Sequence, residues 1–183
     1  ARIMFPIRDA RGRMQGLGGR ATRENQRAKY VNSPEGELYR KSRTLYGIER
    51  ARPAIAKAGR AVVVEGYTDV IAAHQAGVGE TVAVMGTAIT PEQVKLLSAH
   101  AEEVVLALDA DRAGREAMLR AQRVAAGKRV RLRVVSMPEG EDPDTLVRKD
   151  GAEALRPILE DGIDLLERKI QLLERKGWFE GVE

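Results

Sequence analysis

No cysteine occurs among the 183 residues. Neither a disulfide nor a cysteine-ligated zinc site can therefore be built from this chain, and an intracellular compartment is permitted. Histidine is nearly absent too. His74 and His100 stand alone, with no Asp, Ser or Cys arranged around either, so both are read as packing or surface residues outside any mechanism. No stretch approaches the roughly 18 apolar residues of a membrane span, so a soluble chain with no membrane partner is expected. Internal repeats, low-complexity tracts and long coiled-coil runs are missing as well. The chain opens on Ala1-Arg2-Ile3-Met4-Phe5, already strand-like and without an initiating Met, and is read as an excised fragment sized for one core plus an appendage.

What is present is charge, and it is segregated. Residues 1–60 carry 15 Lys and Arg against 5 Asp and Glu, a net of +10, whereas residues 61–183 carry 16 against 22, a net of −6. A basic region beside an acidic one suits a polyanion that is held while its phosphates are worked on, although a salt-balanced solvated surface has the same totals.

The periodicity supports an α/β fold. Residues 2–9 and 13–20 read as a hairpin turning at Asp9-Ala10-Arg11-Gly12, and Lys29-Tyr30-Val31-Asn32-Ser33-Pro34 as an extended run up to its proline. Leu45 to Ala58 has helical spacing and stops at Gly59. Short apolar runs at 61–65, 81–84, 103–109 and 130–135 then alternate with helical stretches at 68–76, 91–99, 112–126 and 144–149. Continuously apolar strands separated by helices predict a parallel four-stranded sheet with flanking helices. From Gly151 onward the pattern is helical throughout, with an amphipathic stripe over Asp164 to Leu173. Three regions are expected: a basic mixed α/β portion over 1–60, a catalytic α/β unit over 61–150, and a C-terminal helical segment, the start of a bundle, over 151–183.

Three acids stand at the ends of the buried runs. Glu65 follows Ala61-Val62-Val63-Val64, Asp109 follows Val104-Val105-Leu106-Ala107-Leu108, and Asp111 lies two residues further on. Parallel neighbours are roughly 5 Å apart, so carboxylates at their carboxyl ends converge on one ion if the two strands are adjacent. Hard divalent ions such as Mg²⁺ or Mn²⁺ take oxygen ligands, with phosphate and water completing the shell. Each acid also has a structural alternative: Glu65 as a solvated strand end, Asp111 as the cap of a helix starting at Arg112. Asp142-Pro143-Asp144 reads as a helix start, and the same acids could hold a further metal or an ion-bound triphosphate. In the basic region Arg20, Lys29, Asn32 and Lys41 are candidates to contact template phosphates or a nucleoside triphosphate, with Arg2 and Arg8 as weaker choices. Lys29-Tyr30-x-Asn32 mixes charge, ring and amide as single-strand surfaces do, but also fits surface lysines beside a packed tyrosine. Met85-Gly86-Thr87-Ala88 would let backbone approach a ligand or simply make a tight turn. Arg112 and Arg115 would grip phosphate or pair with an acid. Tyr67 is read as structural rather than as a covalent nucleophile.

The motifs Glu65-Gly66-Tyr67-Thr68-Asp69, Asp109-x-Asp111-x-Ala113-Gly114-Arg115 and Glu141-Asp142-Pro143-Asp144 resemble the Toprim domain of bacterial DnaG-type primases. Upstream, Met4-Phe5-Pro6-Ile7, Gly16-Leu17-Gly18-Gly19-Arg20, Lys29-Tyr30-Val31-Asn32-Ser33-Pro34 and Leu45-Tyr46-Gly47 resemble the basic part of that family's RNA polymerase domain. The resemblance runs from residue 2 to about 150. It implies a Toprim-like sheet and synthesis of an RNA primer from ribonucleoside triphosphates on a single-stranded DNA template, at the bacterial replication fork in the cytoplasm. It also implies that Glu65, Asp109 and Asp111 are catalytic and hold divalent ions, Mg²⁺ or Mn²⁺, two or more in number. Asp69, Asp142 and Asp144 would extend the metal-binding surface, and Arg20, Lys29, Asn32 and Lys41 would form the basic ridge. Zinc is expected only in a separate module, and the replicative helicase would bind through a C-terminal region outside this chain. Ala110 and Thr68 depart conservatively from the family pattern. Ala113 stands where related topoisomerases carry another acid, which weakens a strand-passage reading. A Toprim nuclease, a dehalogenase-like phosphatase and a nucleic-acid-binding module with an inactive acidic site remain as alternatives.

Overall fold

A computed structural model describes residues 1–23, 28–86, 88–107 and 130–174. The expected hairpin forms: β1 (Arg2–Arg8) pairs antiparallel with β2 (Met14–Ala21), with a bulge between Ile7 and Arg8. Asp9 makes the turn, its Oδ1 accepting from the N–H groups of Arg11 and Arg13 at 2.9 and 3.0 Å. The extended run before Pro34 supplies β3 (Tyr30–Asn32), which adds antiparallel to the free edge of β2. Phe5 and Ile7 point inward from β1 and are buried.

A linking segment with one 3₁₀ turn at Lys41–Arg43 leads into α1 (Ile48–Ala58), which ends at Gly59 as its spacing predicted. Then follow β4 (Arg60–Val64), α2 (Tyr67–Gln75), β5 (Thr81–Ala83), α3 (Pro91–Ser98), β6 (Glu103–Leu106), β7 (Arg131–Val134) and α4 (Pro143–Asp150). The C-terminal part contains α5 (Leu155–Glu160), β8 (Ile163–Asp164) and α6 (Leu165–Glu174). The second sheet has the order β5-β4-β6-β7-β8, with the first four strands parallel and β8 antiparallel. The end of the expected strand 103–109 and the expected helix 112–126 lie outside the described residues.

Two expectations need correction. Among the described residues a fifth, antiparallel strand joins the four expected parallel ones, and the region after Gly151 is not helical throughout. Ile163 pairs with Val134 and Asp164 with Arg133, while the Arg133 guanidinium donates to the carbonyls of Gly162 and Glu160. This two-residue strand covers the open edge of β7 and is too short to leave an alternating pattern in the sequence.

Alternate side chains of the central strands feed different layers. Ala61, Val63, Val104 and Leu106 pack against α1 and α3 through Ile48, Ile55, Val94 and Leu97. Val62, Val64 and Val105 pack against α2, α4 and α5 through Val70, Ala73, Leu146 and Leu159. Burial on both faces explains why these strands read as continuous apolar runs. Among the described residues, no helix is long and apolar enough to cross a membrane.

One buried polar side chain ties the linking segment to this core. Thr90 caps α3, accepting from the Gln93 N–H at 3.2 Å while its own N–H donates to Gln93 Oε1 at 3.0 Å. Gln93 is fully buried, and its Nε2 donates to the carbonyls of Lys41 and Thr44 at 2.9 and 2.8 Å. Replacing Gln93 with Ala strips partners from two carbonyls and one N–H at once. A loss of about 3 kcal/mol is expected, because unmade buried hydrogen bonds cost about 1 kcal/mol or more each. Urea denaturation should show a lower midpoint at unchanged slope.

Candidate metal and nucleotide cleft

The carboxyl ends of β4 and β5 and the inner side of β3 enclose a cleft of about 270 Å³. Its lining includes Glu65, Asp69 and Asp142 as acids and Lys29 and Asn32 as cation and amide. Strand ends position the first acid: Glu65 immediately follows Val64, and its carbonyl accepts from the Met85 N–H at 3.0 Å, joining the exits of β4 and β5. Met85 and Gly86 both have positive φ, 58° and 76°. For Met85 that conformation is unfavourable and is held by its buried side chain, which packs with Phe5, Ile7, Tyr39 and Tyr67. Gly86 takes the same region without a Cβ penalty and lines the cleft.

Asp69 sits at the third position of α2, where its Oδ2 accepts from the Gly66 N–H at 2.9 Å. It is 5% exposed. Asp142 caps α4, with Oδ1 accepting from the Thr145 N–H at 2.7 Å. The cap and the cleft wall are thus the same residue, so its structural and ligand-facing readings are compatible. Asp144 is buried and paired with Arg148 at 2.8 Å, and it is not among the cleft-lining residues. Asp109 and Asp111 lie outside the described residues, as do Thr87, Arg112, Gly114 and Arg115. The adjacency their role requires is nevertheless present in the sheet. β4 and β6 are hydrogen-bonded parallel neighbours, and the Ala107 N–H donates to the Val63 carbonyl at 2.9 Å, two residues before Asp109. Among the described residues, no three of His, Asp and Glu form a metal-holding group.

The basic candidates are placed unequally. Lys29 and Asn32 line the cleft. Arg20 stands beside it: the Arg20 guanidinium and the Lys29 ammonium lie 5.8 and 5.7 Å from the centre of the Tyr30 ring. Lys41 lies in the 3₁₀ turn, its N–H donating to Glu35 Oε1 at 2.9 Å, and does not line the cleft. The weaker choices are tied to backbone, Arg2 donating to the Ala28 carbonyl and Arg8 to that of Gly12, each at 2.8 Å. His74 Nε2 contacts the Thr81 carbonyl at 2.9 Å, in keeping with a packing role.

Tyr67 is the residue that joins the two walls. Its phenol donates to Asn32 Oδ1, its ring stacks on Phe5 at 5.0 Å and 9°, and Tyr46 meets it edge-on at 4.8 Å. A Cβ at position 18 would fall 2.3 Å from the phenol oxygen, so only glycine admits the ring there. Burial pushes up the phenol pKa of Tyr39 to about 12, raises that of Tyr46, and raises that of Tyr67 further with help from its neighbouring phenols. Tyr67 is therefore a neutral hydrogen-bond donor rather than a nucleophile. Sequence pattern pointed to the acids but not to Gln93 or to the conformation of Met85; the glycine-rich stretch of β2 was the available signal that an aromatic side chain would pass close by.

Because the folded phenols hold their protons more tightly than unfolded ones, their contribution is fully present below the ordinary tyrosine value of 10.0 and is lost as pH rises toward about 12. Stability is expected to fall across that window. Tyrosinate absorbance from Tyr39, Tyr46 and Tyr67 should appear together with loss of secondary structure, whereas titration of all three with the fold intact would contradict this burial.

Residues 62–147 match the family model described as Toprim-like, and residues 1–52 match that of the DNA primase catalytic core, N-terminal domain. The chain is 45% identical over 167 residues to the DNA primase of Escherichia coli strain K12, covering 90% of this chain and 29% of that protein. Among solved structures, the DnaG primase catalytic domain bound to ssDNA aligns with a TM-score of 0.87 at 42% identity, covering 96% of this chain and 56% of that one. The E. coli primase catalytic core aligns at 0.86 and 43%, with the same coverage. The chain belongs to the bacterial DnaG-type primase family and corresponds to part of its catalytic domain, the part that contains the Toprim fold. It spans about 29% of the length of the curated relative.

Proposed function

We propose that this chain carries the metal-binding and nucleotide-positioning part of an enzyme that synthesises RNA primers on single-stranded DNA. The observation that supports it most is the cleft itself, in which Glu65, Asp69 and Asp142 share one cavity with Lys29 and Asn32. A related catalytic domain bound to ssDNA, matching 96% of this chain, supports the template assignment. In this reading the four parallel strands are the Toprim arrangement, residues 1–60 form the basic subdomain, 61–150 the catalytic one, and 151–183 begin a helical bundle. The replicative helicase and a zinc module would engage through regions of the parent protein outside these residues.

The donors fit Mg²⁺ or Mn²⁺, because they are carboxylate oxygens at the mouth of a buried sheet and the sequence has no cysteine. Glu65, with Asp109 and Asp111, would hold the main ions, and Asp69, Asp142 and Asp144 would extend the acidic surface. Two or more bound ions would lower the pKa of the attacking hydroxyl and offset charge on the reacting phosphate. In the transfer, the 3′ oxygen of one ribonucleotide bonds to the α-phosphorus of the next, the bond to the β-phosphate bridge breaks, and pyrophosphate leaves while the hydroxyl proton passes to solvent. Lys29 and Asn32 hold the incoming triphosphate or template phosphates over the acids, and Arg20 and Lys41 extend the basic surface that keeps the template in register. These side chains supply position rather than proton transfer.

Template-directed primer synthesis by the full-length parent separates the two walls. Asp109→Asn should abolish extension, by at least about 100-fold as expected when transition-state charge stabilisation is removed, while template affinity is largely kept. Lys29→Ala should weaken nucleotide or template binding, and the loss should be less at high salt, where each phosphate contact counts for less. Equal activity for Asp109→Asn and wild type would reject the assignment, and template cleavage in place of extension would favour a Toprim nuclease. Manganese binding measured directly should be lost in the Asp109→Asn, Asp111→Asn double variant.

A further inference from the structure

We infer that Tyr67 is a positioning residue that fixes which end of the Asn32 amide faces the nucleotide, an inference that rests on the cleft being a nucleotide site. Tyr67 is 3% exposed, and its ring is held between Phe5 and Tyr46. A buried phenol must place its proton on an acceptor, since leaving it unpaired costs the full desolvation of the group. The acceptor is Asn32 Oδ1. An asparagine amide has one accepting end and one donating end, so committing the oxygen to Tyr67 leaves the NH₂ as the end available to the cleft that Asn32 lines. With the amide reversed, the NH₂ would face the phenol and the phenol proton would lose its acceptor. Burial of Tyr67 therefore sets the polarity of Asn32.

The consequence is chemical. Lys29 and Asn32 then present only donors toward the cleft, while Glu65, Asp69 and Asp142 bring the acceptors. A phosphate oxygen meets the first pair and a cation the second. Space for the arrangement is reserved in β2, where the Gly18 position passes too close to the phenol for any side chain. Asn32 and Gly18 are register partners in the β2–β3 ladder, so the amide, the glycine and the phenol are fixed by one piece of backbone. Tyr67 touches no substrate in this account and acts through Asn32.

The test is nucleotide binding to the full-length parent, measured by equilibrium titration with a ribonucleoside triphosphate in the presence of Mg²⁺, for Tyr67→Phe, Asn32→Ala, their double variant and Asn32→Asp. Tyr67→Phe keeps the ring and its stack on Phe5 but removes the hydroxyl. It should raise the Kd about five- to tenfold, the size expected for one hydrogen bond. In the Asn32→Ala background the same change should add nothing, because the amide it orients is gone. Asn32→Asp keeps an acceptor for Tyr67 but replaces the cleft donor with a carboxylate, and should bind most weakly of the single variants. An unchanged Kd for Tyr67→Phe, or losses from Tyr67→Phe and Asn32→Ala that simply add, would overturn the inference while leaving the primer-synthesis reading in place. Failure of the wild-type parent to bind nucleotide would overturn both.

Discussion

Burial of β4 on both faces is the constraint from which the rest of the structure follows. Arg60 to Val64 has β5 on one side and β6 on the other, with helices packed above and below. A strand in that position can meet solvent only at its ends, so the first polar side chain after Val64 emerges at the sheet's carboxyl edge. Glu65 is that residue. β6 is the parallel neighbour of β4 and meets it through Ala107, two residues before Asp109 in the sequence.

An acidic edge alone would be an uncompensated cluster, and the N-terminal sheet brings the opposite charge to it. The two sheets meet through an aromatic seam in which Phe5 and Tyr67 stack and Tyr46 closes from the side. Gln93 makes a second join, holding the segment around Lys41 and Thr44 to α3. Together these contacts set Lys29 and Asn32 in the same cavity as Glu65, Asp69 and Asp142. Met85 shows the cost of the arrangement, since a bulky residue is kept at positive φ where β5 ends.

Much of this was legible in the sequence because the signals were local. Short apolar runs gave the parallel strands, Asp142-Pro143 gave a helix start, and the charge split foretold a basic sheet beside an acidic one. The resemblance in three acidic motifs supplied the family. What stayed hidden was non-local. β8 is two residues long and exists only because Arg133 and Val134 offer it an edge. Gln93 has Thr90 as a local capping partner, but the two carbonyls that its amide holds lie about 50 positions away. Asp144 was grouped with Asp142 by spacing, and two positions along its carboxylate pairs with Arg148, a partner the spacing did not indicate. Lys41 likewise belongs to the basic region without lining the cavity.

The central claim is that one cleft brings a cation-holding edge and a phosphate-holding wall into reach of a single nucleotide. Anomalous diffraction from crystals of the protein soaked with Mn²⁺ and a ribonucleoside triphosphate tests this most directly. The account predicts a manganese peak coordinated by Glu65 and Asp109, with the triphosphate extending from it toward Lys29 and Asn32. Manganese bound only outside the cleft, or Glu65 and Asp109 facing separate regions of solvent with the nucleotide elsewhere, would contradict it.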